Sequence, residues 1–205
     1  TAEVKTAASH IDEANAEMRI KSGLSVAAAI GAVVLGGCAS GVVTNDSRQA
    51  GYDPSLVADT ARRGGMALEV KGAPFPEAGG RFGEIAARAL TESHPGPDFT
   101  VFARPQGAPE GPLRTVVIAN PQETVTPATA CTAEVSGAAV EDGGTLSVTA
   151  ALCRNDKAVV RMTGRALGVS GVEDPKVDQL FRQIGQQLYP RQNESLDDDM
   201  DGVWP

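Results

Sequence analysis

Residues 145–166 read TLSVTAALCRNDKAVVRMTGRA. Leu146, Val148, Ala150 and Leu152 alternate with Thr145, Ser147, Thr149 and Ala151, the period-two pattern of a strand buried on one side. Asn155-Asp156 follow, two residue types that tolerate positive φ in a tight turn, and a second apolar run then begins. The stretch predicts a β-hairpin. On its return strand Arg161 and Arg165 share one side, with Thr163 between them. A polar outer face of the sheet is the simpler reading of that trio; a surface for an acidic partner is the other.

The hairpin leads into DPKVDQLFRQIGQQLYP, residues 174–190. Asp174 suits an N-cap and Pro175 the first helical position, while Val177, Leu180, Phe181, Ile184 and Leu188 form one apolar stripe until Pro190 forbids continuation. Upstream, Asp53 and Pro54 open a shorter helix, PSLVADTARR, stopped by Gly64-Gly65. GRFGEIAARALTE carries Phe82, Ile85, Ala86, Ala89 and Leu90 at helical spacing. MALEVK (66–71), FTVFA (99–103) and LRTVVIAN (113–120) read as strands. The last two flank the Pro- and Gly-rich connection PQGAPEGP, so they are expected to pair antiparallel as a long-looped hairpin. The expected fold class is α+β, an antiparallel sheet of about four or five strands covered on one face by helices.

The chain's most apolar run, Leu24 to Leu35, is too short for a spanning helix, which needs about 20 residues. Met18-Arg19-Ile20-Lys21, then LSVAAAIGAVVL, then Gly36-Gly37 supply in order the basic start, apolar centre and small residues of a secretory signal. An uncleaved anchor and a buried core helix are the alternatives. Leu35-Gly36-Gly37-Cys38 resembles the bacterial lipobox. The resemblance covers residues 18–38 and implies a diacylglycerol on the sulfur of Cys38, cleavage before that residue and acylation of the freed amine. It implies nothing about the fold downstream.

The expected organisation follows. Residues 1–17, which carry charges where an export signal should begin, read as an upstream extension or an artefact. Residues 18–37 are the signal peptide, 38–51 the lipidated Cys38 and a flexible tether, 52–190 a single α+β domain, and 191–205 an acidic tail. ASGVVTNDSRQAG, residues 39–51, is small and polar without a period, as a tether would be. The partner implied by the lipobox is a lipid bilayer, held through Cys38. Ala39 follows Cys38 rather than the Asp that retains enterobacterial lipoproteins at the inner membrane, so the expected location is the outer membrane, facing the periplasm.

Of 18 basic and 26 acidic residues, three (Lys5, Arg19, Lys21) and four (Glu3, Asp12, Glu13, Glu17) precede Cys38, leaving 15 against 22. Such an acidic body excludes nucleic acid as a partner, because phosphate backbones are bound by clustered Lys and Arg. Twenty-three Gly and 13 Pro exceed the usual combined share of about 12%, so loops should be long. No G-x-G-x-x-G, Walker loop, H-E-x-x-H or G-x-S-x-G is present, and no cofactor, metal or catalytic residue is assigned. His94 sits in the turn-like Ser93-His94-Pro95-Gly96 with no companion His downstream of Cys38, which favours an exposed turn residue over a catalytic base. Gly79-Gly80-Arg81-Phe82-Gly83 reads as a loop-to-helix junction, or an anion site at the helix start. Glu134, Glu141, Asp142, Glu173 and Asp174 fall in or near loops and read as solvated surface.

Asp197-Asp198-Asp199-Met200-Asp201-Gly202 matches the start of a calcium loop but lacks the bidentate Glu at its twelfth position, so an acidic tail is the expected state. With Cys38 lipidated, Cys131 and Cys153 are the two remaining cysteines. Export places them in an oxidising compartment, where a disulfide is expected; free thiols or a redox pair are the alternatives.

Asp53-Pro54, Pro74-Phe75, Leu152-Cys153-Arg154 and Tyr189-Pro190 give the chain a resemblance to small alphaproteobacterial envelope lipoproteins of unknown function, which brings no activity with it. The sequence favours an anchored, non-enzymatic lipoprotein that binds another envelope protein or supports an assembly. The competing reading is an anchored enzyme or small-ligand carrier with a pocket between sheet and helices.

Overall fold

The computed structural model describes residues 41–48, 52–103, 107–132 and 134–190, all within the unit Cys38–Pro205. Cys38 and the acidic tail lie outside the described residues. The elements run β1 (Gly41–Arg48), α1 (Pro54–Arg62), β2 (Gly65–Lys71), a 3₁₀ turn (Pro76–Ala78), α2 (Arg81–Ser93), β3 (Thr100–Phe102), β4 (Leu113–Ala119), β5 (Gly144–Arg154), β6 (Lys157–Val169) and α3 (Pro175–Leu188). None of the described helices is long and apolar enough to cross a membrane.

Local chemistry sets the helix starts. Asp53 Oδ1 accepts from the Ser55 amide at 2.8 Å and Asp174 Oδ1 from the Lys176 amide at 2.9 Å, so each carboxylate satisfies a donor that the first helical turn leaves open. The long hairpin is β5 and β6, paired antiparallel from Gly144↔Val169 to Arg154↔Lys157. Asn155 turns it with a φ of 52°, the left-handed conformation that Asn adopts at modest cost.

The class is α+β, and three details differ from the sequence expectation. Among the described residues the sheet has six strands, in the order β1-β6-β5-β4-β2-β3, and it is mixed. β3 and β4 do not form a hairpin: β2 lies between them and pairs parallel with both. β3 spans only the start of β2, ending with Phe102 beside Ala67, and Arg114 near the start of β4 meets the same Ala67 from the other side. Two strands in that position are only about 10 Å apart, so the connection passes the N-terminal end of β2, with Pro109 beside Gly64 and Gly111 beside Arg63. The parallel step from β2 to β3 runs through α2, the helical crossover that parallel pairing demands.

The third correction concerns the expected tether. Gly41–Arg48 is a strand, paired antiparallel with β6 from Gly41↔Ala166 to Arg48↔Val160. The irregular composition of VVTNDSR hides it, because Asn and Asp are poor strand formers; the neighbouring ladder, not intrinsic preference, holds this edge.

Strand alternation divides the side chains between two faces. Leu68, Thr115, Leu152 and Val160 occupy one register row, and Val70, Val117, Ala150 and Met162 the next. This face packs against Phe82, Ile85 and Leu90 of α2 and Val177, Leu180, Phe181, Ile184 and Leu188 of α3, which together make the main core. At Gly164 the sheet comes so close to α3 that a Cβ would lie 2.7 Å from Leu180 Cδ1. Helices α2 and α3 are tied on their outer sides by Arg88–Asp178 at 2.9 Å and Arg182–Glu92, and Arg182–Asp178 at 2.6 Å within α3 links the two bridges.

The opposite face is also partly covered. The long connection from β4 to β5 turns back over it and buries Val125, Ala130 and Cys131 against Val116, Ile118, Ala151, Cys153 and Ala158, a second and smaller core. Its two ends meet at the Pro121↔Gly137 bridge and at Ala138 N–Asn120 O, 3.0 Å. A side chain at Gly137 would place its Cβ 2.1 Å from Ala119 O, so only Gly lets the returning strand settle there.

Candidate functional site

The covering connection leaves a groove on this second face. Alternation along β2 puts Glu69 and Lys71 on the same side, and pairing of Ala67 with Arg114 and of Arg114 with Cys153 brings the arginine beside them. Thr132, Glu134 and Ser136 form the opposite wall, and Asp156 in the β5–β6 turn closes one end. The groove holds about 740 Å³.

Arg114 organises it. Its Nη1 donates to Asn155 O and its Nη2 to Cys131 O at 2.8 Å, while Glu69 and Asp156 lie 3.4 and 3.7 Å from the guanidinium. Lys71 Nζ sits 3.4 Å from the other Glu69 oxygen. One guanidinium therefore links the covering connection, the hairpin turn and β2, as its planar fork of donors allows. Cys131 and Cys153 are joined by a disulfide with Cα atoms 5.9 Å apart, which fixes the same wall covalently. Arg161, from the next strand, donates to Val125 O. That arginine clamps the connection to the sheet, and of the expected polar trio Arg165 is the exposed member.

Chemically, the lining is polar and of mixed charge. Thr132 and Ser136 offer hydroxyls and Glu134 and Asp156 exposed carboxylates, with Glu69 and Arg114 paired in the floor. Such a surface suits hydrogen-bonded and charge-complementary contact with a polar segment. Among the described residues, no three His, Cys, Asp or Glu side chains group closely enough to hold a metal ion.

The other residues singled out in the sequence lie elsewhere. His94 stacks on Phe99 with ring centroids 4.0 Å apart. The Gly96 amide donates to its Nδ1 at 3.4 Å and its Nε2 lies 3.3 Å from Phe99 O, so both ring nitrogens face the backbone of their own turn. Beside it, Pro54, Val57, Ala58, Gly96, Pro97, Tyr189 and Pro190 line an apolar hollow of about 420 Å³ with no carboxylate in its wall. Tyr189 is buried, and that burial pushes its phenol above the ordinary range although the Thr115 hydroxyl, 2.8 Å away, opposes the shift.

At the start of α2, Arg81 Nε lies 2.6 Å from Glu173; this hydrogen bond holds the Glu173 carboxyl below its usual range. Asp174 is held low chiefly by the amides of Ser170 and Lys176. Both acids thus serve the start of a helix. The main core lies between the sheet and the helices. Sequence reading missed the groove, since its charges come from β2, β4, a loop and a turn. The one available signal was the i, i+2 placement of Glu69 and Lys71.

No protein-family model and no curated protein matches the chain. Among solved structures it is similar to the PelC dodecamer from Paraburkholderia phytofirmans, at 21% identity and a TM-score of 0.41, over 74% of this chain and 99% of that one. A single-substitution variant of the same dodecamer, in another crystal form, gives 20% identity, the same coverage and the same TM-score.

Proposed function

We propose that this protein is an envelope lipoprotein, anchored through Cys38, whose domain binds a polar segment of another envelope protein in the groove beside Arg114. The observation that carries the binding half is the groove itself. Its inner charges, Lys71, Glu69 and Arg114, are tied to one another, and Arg114 also to two backbone carbonyls, while Thr132, Glu134, Ser136 and Asp156 are exposed at its rim. Fixed charges of this kind recognise, and they do not form the nucleophile–base pair that acyl or phosphoryl chemistry requires. The anchoring half rests on Leu35-Gly36-Gly37-Cys38 behind its basic and apolar segments. A Cys131–Cys153 bridge is in keeping with an oxidising compartment, and the location proposed is the outer membrane, facing the periplasm.

Two measurements test the proposal. Fatty-acid labelling should be lost in Cys38→Ala, and that variant should leave the membrane fraction or stall in export; a variant that fractionates as wild type refutes the anchor. A photo-crosslinking residue at Thr132 or Ser136 should capture a defined envelope protein that one at Glu92, on the outer side of α2, does not. Equal capture at all three positions, or none at the groove, refutes the binding role.

A further inference from the structure

Resting on the lipid anchor proposed above, we infer that the end of the sheet where β1 begins and β6 ends lies against the phospholipid bilayer, with Leu167 entering its interface. Gly41 pairs with Ala166. Cys38 is three residues before Gly41, and three residues of chain span at most about 11 Å. A thioether on Cys38 sits at the level where acyl chains meet headgroups, so Gly41 and its cross-strand neighbours are kept within reach of that layer. With 41–48 built into the sheet rather than loose, there is no slack to hold this end away.

The side chain at this position fits the assignment. Leu167, next to Ala166, is 66% exposed and is the one large exposed hydrophobic residue among the described residues. It follows Arg165 on the same face of β6, two residues on, where alternation directs it away from the helices. Gly168 after it takes a φ of 65°, turning the chain so that Leu167 stands at the rim. An exposed leucine taken singly needs no explanation; one placed a cross-strand neighbour from the anchor strand does. The same end carries Glu141, Asp142, Glu173 and Asp174 against Arg81, Arg165 and Lys176, so attraction to anionic lipid is not what holds it down. The occupant is the zwitterionic bilayer surface that already receives the acyl chains. Asp156, at one end of the groove, is 11 residues from Leu167 along β6, or about 35 Å at a strand's rise, and therefore faces away from the membrane.

The test uses the acylated full chain in phosphatidylcholine vesicles, with Trp204→Phe removing the native indole and a single Trp restored at Leu167→Trp or, as the distal control, Lys157→Trp. The expected result is a blue-shifted emission at 167 and quenching by brominated acyl chains at least about twofold stronger than at 157, since an indole at the interface meets the chain region. Equal quenching at the two positions, or stronger quenching at 157, overturns the orientation while leaving the anchor standing, provided fatty acid is still found on Cys38. Absence of fatty acid on Cys38 overturns both. Raising the anionic lipid fraction should not strengthen the signal at 167, and a marked rise would replace the apolar contact with an electrostatic one.

Discussion

Replacing both Cys131 and Cys153 by Ala tests the covering connection directly. The bridge closes a loop with a sequence separation of 22, and restricting an unfolded chain by a loop of that length removes about 11 cal/mol/K of its entropy, or about 3 kcal/mol at 25 °C. For a domain of this size that corresponds to a fall in Tm of about 6–12 °C. Ala is the proper replacement because both cysteines are buried, and Ser would add an unpaired hydroxyl. The assay is a thermal melt followed by circular dichroism, for the double variant and for wild type with and without a dithiol reductant. Reduced wild type should melt close to the variant. A Glu-specific protease should then cut at the exposed Glu123 and Glu134 in both, and not in the oxidised protein. A shift under about 2 °C in both arms would refute the view that the bridge holds this segment down. A large shift in the variant alone would assign the loss to packing instead.

Three further outcomes are expected. A Cβ at Gly185 would meet Ser93 Oγ at 2.2 Å, so Gly185→Ala should cost about 1–2 kcal/mol by overpacking, whereas in a Ser93→Ala background the same change should be neutral or stabilising by up to about 1 kcal/mol through helix propensity; denaturant melts of the four-member cycle check this. Thr115→Val leaves the buried Tyr189 hydroxyl without its hydrogen bond and should cost about 1–3 kcal/mol, with Tyr189→Phe costing less because Thr115 keeps Met66 Sδ at 3.3 Å. Asp178 is held low in spite of its burial, because hydrogen bonds from Arg182 and Arg88 outweigh that penalty, and Asp174 is low as well. Depressed carboxyls contribute stability that is complete above the unfolded value of about 3.9 and lost as pH falls through the folded values, so denaturant midpoints should be flat from about pH 7 to 5 and drop below about 4, less steeply in Asp178→Asn. A flat profile down to about pH 2 would contradict that.

Much of the fold was legible because the signals were local. Asp53-Pro54 and Asp174-Pro175 carry their helix starts in two adjacent residues, and the Leu146-to-Leu152 alternation states which side of β5 is buried. What could not be read was set by partners distant in the chain. VVTNDSR becomes a strand only beside β6, and FTVFA was paired with LRTVVIAN because sequence neighbours usually pair, whereas three residues of β3 are too few to compete with β2 for the flank of β4. The groove was hidden for the same reason: Glu134 is exposed, as a loop carboxylate should be, and only the register of Arg114 against Ala67 and Cys153 sets Arg114 beside Glu69 and Lys71. The disulfide stands between these cases. Cysteine arithmetic suggests the pair, yet nothing in the sequence says that it fastens a second apolar layer.

The strand order also fixes a sequence of events in time. Of the described strands β1 is made first, but its neighbour in the sheet is β6, and Gly41 waits for Ala166 through a further stretch of chain that a ribosome adds at about 5–20 residues per second. For several seconds the strand next to Cys38 has nothing to pair with. Its Asn, Asp and Ser, which made it hard to recognise as a strand, are also what keeps a lone β-segment from joining others of its kind. The first of the described strands is thus left open until the last is made, and its weak intrinsic preference suits a segment that must remain uncommitted until β6 arrives.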